Sequence, residues 1–272
     1  MTTDRIRQAI DKAKNEGRIA LVPYVTIDFP VPGITKDLVK SIVEAGADVI
    51  ELGMPFSDPL GDGPTIQASG HQALENGVTP KTCMNTVKEI RNAGIDIPIV
   101  IMGYYNNILS MGLDEFCSNA HDAGVDGLIA ADLPAAEADP LQDAVDRAGL
   151  VLIPLLALTS TERAIEHACK RAGGFIYCIS VLGVTGARSS TSERVKILAD
   201  KVRRFTDLPI GIGFGISTAD HVTNVAKYAD GAVVGSELIN RIACGEVADA
   251  PQRAETFIRS LIPGTIRKVV AN

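Results

Sequence analysis

Short apolar runs and amphipathic stretches alternate along the whole chain. At Ala45, Ala93, Ala123, Ala148 and Ala172, a helical pattern ends in Ala-Gly and a run rich in Val, Ile and Leu follows. Glycine favours the left-handed backbone that ends a helix, and a short apolar run is typical of a strand buried on both faces. The pattern therefore predicts a strand after each of these glycines.

Three further runs complete the set of predicted strands. RIALVPYVT begins at Arg18, LPIGIGFG at Leu208 and YADGAVVG at Tyr228, which brings the number of strands to eight. Amphipathic stretches separate them, and the charged, amphipathic start of the chain predicts an extra N-terminal helix. This alternation predicts a parallel sheet with right-handed crossovers.

Eight such units predict a single-domain TIM (β/α)8 barrel over residues 1–272. A doubly wound open sheet is the structural alternative. It usually has fewer strands, and no G-x-G-x-x-G motif opens the first unit here.

Composition narrows the class of protein. Apolar residues make up 46% and charged residues 22% of the chain, which is typical of a soluble globular protein. The formal net charge of −7 argues against nucleic acid or an anionic membrane as the main partner. The charged start is unlike a signal peptide, and no apolar run approaches the about 18 residues of a membrane span. The cysteines are scattered, as expected of reduced thiols, so we expect a cytoplasmic protein.

Two long connections interrupt the regular spacing of the predicted strands. Residues 53–80 follow the second strand and residues 182–192 follow the sixth, and both exceed ordinary βα loops. In a barrel the working residues lie at the C-terminal ends of the strands. These loops are therefore expected to serve function as well as connection.

Glycines and a serine after the last two predicted strands suggest an anion site. Gly213 and Gly215 end the seventh strand, while Gly235 and Ser236 follow the eighth, with Ser236 placed to begin a helix. Glycine lets backbone N–H groups approach an anion, and a helix N-terminus favours negative charge. Gly186, after the sixth strand, could complete the site. Each glycine alone could simply form a tight turn, but the group favours phosphate binding.

Glu51 ends the second predicted strand. Its side chain alternates with that of Val49 in DVIEL, so it points to the same face as a core residue. A carboxylate in that place is partly desolvated, which raises its pKa and suits it to proton transfer. A structural acid paired with arginine is the alternative, but no basic residue lies in the neighbouring motif. Asp62, Asp58 and Asp132 are weaker candidates, because aspartate also serves turns and helix caps.

The residue types that are absent from the ends of the predicted strands narrow the range of possible reactions. No lysine ends a predicted strand, which argues against a Schiff-base aldolase or a pyridoxal enzyme. The histidines fall in helical stretches or their approaches, and no cluster of histidine and carboxylate suggests a metal. Carboxylates acting on a phosphorylated substrate remain as the predicted chemistry.

Large side chains near the same rim predict a flat apolar pocket, although each alone could belong to the barrel core. They are Tyr24, Met102, Tyr104, Tyr177 and Phe214. An aromatic ligand would suit such a pocket.

Seven motifs, in this order, resemble those of the tryptophan synthase alpha subunit family. They are VPYVT, ELGMPFSDPLGDGPTIQ, MGYYNNIL, ADLP, GVTGA, GFGIS and VVGS, and the resemblance runs from about residue 4 to residue 262. It implies a TIM barrel that cleaves indole-3-glycerol phosphate to indole and glyceraldehyde 3-phosphate, in the last steps of tryptophan biosynthesis. It also implies that the chain needs no cofactor and that its partner is a pyridoxal-phosphate-dependent beta subunit, in an alpha2beta2 complex.

The resemblance also implies roles for individual residues. Glu51 matches the main acid/base, which carries a proton to indole C3 and takes one from the glycerol hydroxyl. Asp62 matches the second acid, which stabilises positive charge on the indole ring through its N–H. Thr185 matches the residue that orients this aspartate when the strand-six loop closes, and Tyr104 and Tyr177 match pocket positions. The phosphate positions of the family are matched by Gly186, Gly215, Gly235 and Ser236.

Three positions depart from the family pattern. Many relatives read Gly-Asp-Pro where this chain has Asp28-Phe29-Pro30, many carry arginine at the position of Val181, and Ala131 replaces a frequent proline. All three are expected on loops near the mouth, where the beta subunit docks, so they bear on partner contact more than on chemistry. The alternatives are a free-standing lyase, a non-catalytic subunit that activates a beta partner, and another phosphosugar isomerase on the same barrel.

Overall fold

The computed structural model describes residues 4–179, 188–213 and 215–267, with the backbone alone for residues 188–192. Parallel strands form one sheet within these residues. The strands are β1 (Ala20–Thr26), β2 (Ile50–Gly53), β3 (Ile99–Gly103), β4 (Gly127–Ala130), β5 (Val151–Leu152), β6 (Leu155–Ala157), β7 (Ile176–Ile179), β8 (Ile210–Gly213) and β9 (Gly231–Val234). Their order across the sheet is β5-β4-β3-β2-β1-β9-β8-β7-β6.

The fifth predicted strand is split in two, and the split strand closes the sheet. Only Ile153 and Pro154 separate β5 from β6. β5 pairs with β4 and β6 pairs with β7, so one short segment joins both edges of the sheet. Proline cannot donate an N–H to a neighbouring strand, which accounts for the interruption at Pro154. The predicted TIM barrel is confirmed.

Helices surround the sheet. They are α1 (Arg5–Asn15), α2 (Thr35–Glu44), α3 (Pro64–Glu75), α4 (Pro80–Asn92), α5 (Tyr105–Met111), α6 (Leu113–Ala123), α7 (Asp139–Ala148), α8 (Glu162–Cys169), α9 (Arg188–Val202), α10 (Ala219–Val225), α11 (Ser236–Ala243) and α12 (Ala250–Thr265), with 3₁₀ turns at Ala135–Glu137 and Val247–Asp249. Of the helices described here, none has both the length and the apolar character needed to span a bilayer.

The barrel interior is a core separate from the layer between strands and helices. α1 closes its N-terminal end with the buried side chains of Ile6 and Ile10, which pack among inward residues such as Val22. A Cβ atom on Gly127 would lie 2.7 Å from Cδ1 of Ile6, so the helix fits because β4 begins with glycine. The predicted extra helix is therefore a plug at one end of the barrel, and the opposite end remains available for a site.

Three aspartates join neighbouring strands at the plugged end. Each accepts the backbone N–H of a residue at or near the start of an adjacent strand and also binds arginine. The groups are Asp48 with Leu21 and Arg18, Asp126 with Ile99, Arg5 and Arg91, and Asp230 with Ile210, Arg203 and Arg267. Every one of these carboxylates is thus used to hold strands in register.

Candidate active site

The open end of the barrel contains a cavity of about 290 Å³. Its wall includes many of the residues predicted from the sequence: Tyr24, Glu51, Asp62, Met102, Tyr177, Gly215, Gly235 and Ser236. They come from strands β1, β2, β3 and β7 and from three βα loops. The structure therefore brings the two predicted acids, most of the predicted apolar pocket and the predicted anion-binding loops into one place.

Glu51 lies inside the barrel in β2 and is 1% exposed. It is paired in register with Tyr24 of β1 and Val100 of β3. Its Oε2 atom is buried and has no hydrogen-bond partner among the described residues. Burial and, to a smaller degree, the nearby Asp62 carboxylate raise the pKa of Glu51 to about 8. A carboxyl group with this pKa is mostly protonated at pH 7 and can both give and take a proton.

Asp62 reaches the cavity from the loop between β2 and α3. The N–H of the preceding Gly61 donates to the Tyr104 hydroxyl at 2.9 Å, and the Gln67 side-chain amide donates to the Asp62 carbonyl at 2.9 Å. Burial raises the pKa of the Asp62 carboxyl to about 6, although a hydrogen bond from Tyr104 opposes the rise. At pH 7, Asp62 is therefore mostly ionised while Glu51 is mostly protonated. Two acids with separated pKa values can take different roles in one reaction.

Tyr104 supports the Asp62 loop from behind. Its ring is buried and stacks on Phe56 of the same loop, with ring centroids 5.0 Å apart. Tyr104 was predicted to line the pocket, but it is not part of the cavity wall; its contacts are with the Asp62 loop. Three other predicted residues, Thr185, Gly186 and Phe214, lie outside the described residues, as does the departure at Val181.

Two tyrosines form a flat wall beside Glu51. The Tyr24 ring crosses β2 at Gly53, and the Tyr177 ring crosses β8 at Gly213. A Cβ atom on either glycine would overlap the tyrosine hydroxyl, so the rings can lie flat only over glycine. Met102 adds a third apolar side chain to this wall.

The loops after β8 and β9 have the geometry of an anion site. Gly215 has φ of +67°, a conformation that favours glycine. Gly235 is the N-cap of α11 and supplies no side-chain cap, so the N–H groups of the first turn remain available at the cavity wall. Ser236 begins the helix there. Backbone donors and a helix N-terminus together suit a phosphate group.

The cavity wall also contains residues that sequence reasoning missed. They are Gly61, Gly63, Ile66, Ala131, Leu155, Ile179, Ile216, Ser217, Val233, Glu237 and Asn240. Asn240 lies four residues after Ser236 on α11, and this helical spacing could have indicated it. Ala131 was expected on a loop near the mouth, where a partner would dock, and it lies in the cavity wall.

The remaining acidic candidates have structural contacts. Asp132 accepts the N–H of Tyr105 at 2.7 Å, so it caps α5 from the adjacent loop. Asp58 accepts a hydrogen bond from the neighbouring Ser57 hydroxyl. Within the part of the chain that the structure describes, no three His, Cys, Asp or Glu side chains form a group that could hold a metal ion.

Similarity to known proteins covers almost the whole chain. Residues 10–263 match the family model described as tryptophan synthase alpha chain. The tryptophan synthase alpha chain of Chloroflexus aggregans is 43% identical over 264 residues, which cover 97% of this chain and 99% of that protein. Tryptophan synthase of Saccharomyces cerevisiae is 39% identical over 272 residues, which cover 99% of this chain and 38% of that protein.

The similarity extends to a solved structure. The crystal structure of tryptophan synthase subunit alpha from Legionella pneumophila superimposes with a TM-score of 0.89 at 33% sequence identity. The superposition covers 97% of this chain and 98% of that chain. The two chains therefore share one fold over nearly their whole length.

Proposed function

The chain belongs to the tryptophan synthase alpha chain family, and from that membership we propose how its residues perform the family's reaction. The reaction is the cleavage of indole-3-glycerol phosphate to indole and glyceraldehyde 3-phosphate, so the protein is a carbon–carbon lyase of tryptophan biosynthesis. The proposal assigns the proton transfers to Glu51 and the stabilisation of charge to Asp62. One observation carries it: the two carboxyl groups share a cavity, in which burial raises the pKa of Glu51 above that of Asp62.

In the first step, protonated Glu51 donates its proton to C3 of the indole ring. The ring becomes positively charged, mainly at its nitrogen. The ionised Asp62 carboxylate accepts a hydrogen bond from the ring N–H and stabilises that charge. Burial keeps Glu51 neutral, and it strengthens the attraction between the Asp62 carboxylate and the positive ring once both charges are present.

In the second step, the Glu51 carboxylate takes the proton of the hydroxyl group on the carbon attached to C3. The bond between this carbon and C3 breaks, and its electron pair returns to the ring. The carbon becomes the aldehyde carbon of glyceraldehyde 3-phosphate, and the ring leaves as neutral indole. Glu51 ends the cycle protonated, as it began, so no outside acid or base is required.

The rest of the cavity would hold the two ends of the substrate. Tyr24, Met102 and Tyr177 offer an apolar surface for the indole ring. The loops at Gly215 and Gly235 offer backbone donors to the phosphate group. Binding at both ends would fix the reacting carbon beside Glu51, which favours reaction over simple binding.

No cofactor takes part in this proposal. Glu51 moves both protons and Asp62 meets the positive charge, so pyridoxal phosphate is assigned to the beta partner alone. Turnover by the alpha chain should be unchanged after dialysis against EDTA and removal of pyridoxal phosphate. A loss of turnover that added metal ion or added pyridoxal phosphate restores would contradict this part of the proposal.

We also propose that a beta chain docks over the barrel mouth, in an alpha2beta2 assembly. Leu60 on the Asp62 loop is 93% exposed, and Leu109 on α5 is 48% exposed. Exposed leucines beside an active site suit a protein partner. The yeast relative bears the name of the whole enzyme, and this chain spans 38% of it. The mass of the complex in solution, measured by light scattering, tests the stoichiometry.

Indole release from indole-3-glycerol phosphate tests the function directly. It should be measured with the purified chain, alone and with a tryptophan synthase beta chain. Slow release alone that rises sharply with the partner is the expected result. Fast release that the partner does not change would favour a free-standing lyase, and no release in either condition would contradict catalysis.

A further inference from the structure

Two buried hydroxyl groups connect β1 with α3. Thr26 ends β1 and Ser69 lies in α3, and each is 1% exposed. Their Oγ atoms are 2.7 Å apart, and the Ser69 hydroxyl also lies 2.9 Å from the Ile66 carbonyl. We propose that this Thr26–Ser69 pair positions the Asp62 carboxylate relative to Glu51, a role that rests on the proposed functions of those two acids.

One side of the pair leads to Asp62. α3 begins at Pro64, two residues after Asp62, and Gln67 lies in its first turn. The Gln67 amide donates to the carbonyls of Asp62 at 2.9 Å and Pro59 at 3.2 Å. The loop is therefore attached to the start of α3, and a shift of this helix would carry Asp62 with it.

The other side of the pair leads to Glu51. Thr26 is opposite Gly53 in the register of β1 and β2, two residues beyond the Tyr24–Glu51 pair. Strand residues two apart point to the same face, so Thr26 and Tyr24 share a side of the sheet. Their hydroxyl oxygens are 3.4 Å apart. Thr26 is thus fixed to the same rigid part of the barrel as Glu51.

The C-terminal end of α3 is bonded to the segment that follows β1. Gln72 donates to the Pro30 carbonyl at 2.9 Å, and Asn76 donates to the carbonyls of Asp28 and Pro30. The departure at Asp28-Phe29-Pro30 therefore lies against α3. These side chains are exposed or partly exposed, whereas Thr26 and Ser69 are buried between helix and barrel. The buried pair is the contact least weakened by competing water.

Stability alone does not require hydroxyl groups here. Replacing both partners of a buried hydrogen bond by apolar groups of the same shape is often nearly neutral. A hydrogen bond does fix distance and direction, which an apolar contact leaves freer. Reaction rates respond strongly to small errors in the placement of catalytic groups. The buried pair therefore fits a role in placement.

Kinetics of matched variants test this role. We would measure kcat and KM for indole release, under conditions in which the wild type is active, for Ser69→Ala, Thr26→Val, the double variant and Thr26→Ser. Each single removal should lower kcat about tenfold and leave KM within about twofold, because phosphate binding lies elsewhere. The double variant should lose little more than the larger single loss, because both hydroxyls act mainly through the bond that they share. Thr26→Ser keeps a hydroxyl and should retain most of the activity.

Thr86→Val is the control. Thr86 is 7% exposed and its hydroxyl donates to the Thr82 carbonyl within α4, so loss of that hydroxyl should leave kcat unchanged. Values of kcat within about twofold of wild type for Ser69→Ala and the double variant, or losses that multiply in the double variant, would overturn the proposal. Full turnover by Glu51→Gln in the same assays would instead overturn the roles proposed for the two acids.

Discussion

The two ends of the barrel place buried carboxyl groups in environments that shift their pKa values in opposite directions. At the plugged end, Asp230 accepts the N–H of Ile210 at 3.1 Å and binds Arg203 at 3.0 Å and Arg267 at 2.9 Å. Burial alone would raise the pKa of Asp230, but these donors together hold it below its ordinary value. At the open end, Glu51 is also buried, at 1% exposed against 3% for Asp230, and its pKa is raised to about 8.

The main difference between the two carboxylates lies in their partners, since burial by itself would raise the pKa of both. A carboxylate that receives N–H groups and guanidinium groups stays ionised and holds strands together. A carboxylate without such partners prefers to keep its proton, which makes it available for acid/base chemistry. The fold thus uses acids for stability at one end, and at the other end it holds the two acids to which we assign the reaction.

Glu51→Gln should produce the largest change. The amide cannot donate a proton to indole C3 or take one from a hydroxyl, so turnover should fall at least about 1,000-fold. The near-equal shape should preserve the fold and substrate binding. Indole release and substrate affinity should be measured beside Glu75→Gln, a control on the exposed part of α3. Appreciable turnover by Glu51→Gln would mean that another group carries the proton.

Asp230→Asn should affect stability instead of chemistry. It leaves two arginines beside a neutral side chain, which should lower the free energy of unfolding by about 3 kcal/mol at pH 7. Because the folded-state pKa of Asp230 is lowered, its contribution is present above the unfolded pKa and is lost as pH falls through the folded value.

Urea unfolding of this variant and wild type at pH 7 and in acid tests both points. The difference between the two proteins should narrow in acid, and kcat per folded molecule should stay close to wild type. A large loss of kcat at unchanged stability in Asp230→Asn would contradict the assignment of this carboxylate to stability rather than to chemistry.

Asp62→Asn should reduce kcat about 100-fold, because the positive ring loses its stabilising charge. The pH profile of the wild type should fall in acid near pH 6, where Asp62 takes up a proton. The variant should lose that acidic limb. A pH–rate profile that keeps the same acidic limb in Asp62→Asn would show that a different group titrates there.

Glu51→Gln should also change how stability depends on pH. The folded-state pKa of Glu51 is raised, so its neutral form supports folding below the unfolded pKa and this contribution is lost as pH rises through about 8. The amide side chain of the variant does not ionise, so the variant does not lose this stability as pH rises. The free energy of unfolding of the variant should match that of wild type near pH 4 and exceed it by at least about 2 kcal/mol at pH 9. An equal difference at both pH values would contradict the raised pKa.

The features predicted from the sequence are those with local causes. Helix ends at Ala-Gly and short apolar runs predicted the strands, and alternation within DVIEL placed Glu51 on the inner face. Pro154 carried a local sign of the split strand, but the prediction did not use it.

Features that depend on tertiary contacts could not be predicted from the sequence. Thr26 and Ser69 are 43 residues apart, and neither has a local pattern that predicts a bond between them. The same holds for the bond between Asp230 and Arg267, which joins distant parts of the chain. A single sequence shows which side chains are buried more readily than which partners they meet.

A carboxyl titration of Glu51 tests the central claim most directly. The resonances of 13C-labelled glutamate carboxyl groups can be followed with pH by NMR, and the Glu51 signal is the one missing from Glu51→Gln. Burial and the nearby Asp62 carboxylate, with no cationic partner for Glu51 among the described residues, predict an apparent pKa near 8. A pKa near the ordinary glutamate value of about 4.3 would show that Glu51 is ionised at neutral pH, and it could not then be the acid that protonates the indole ring.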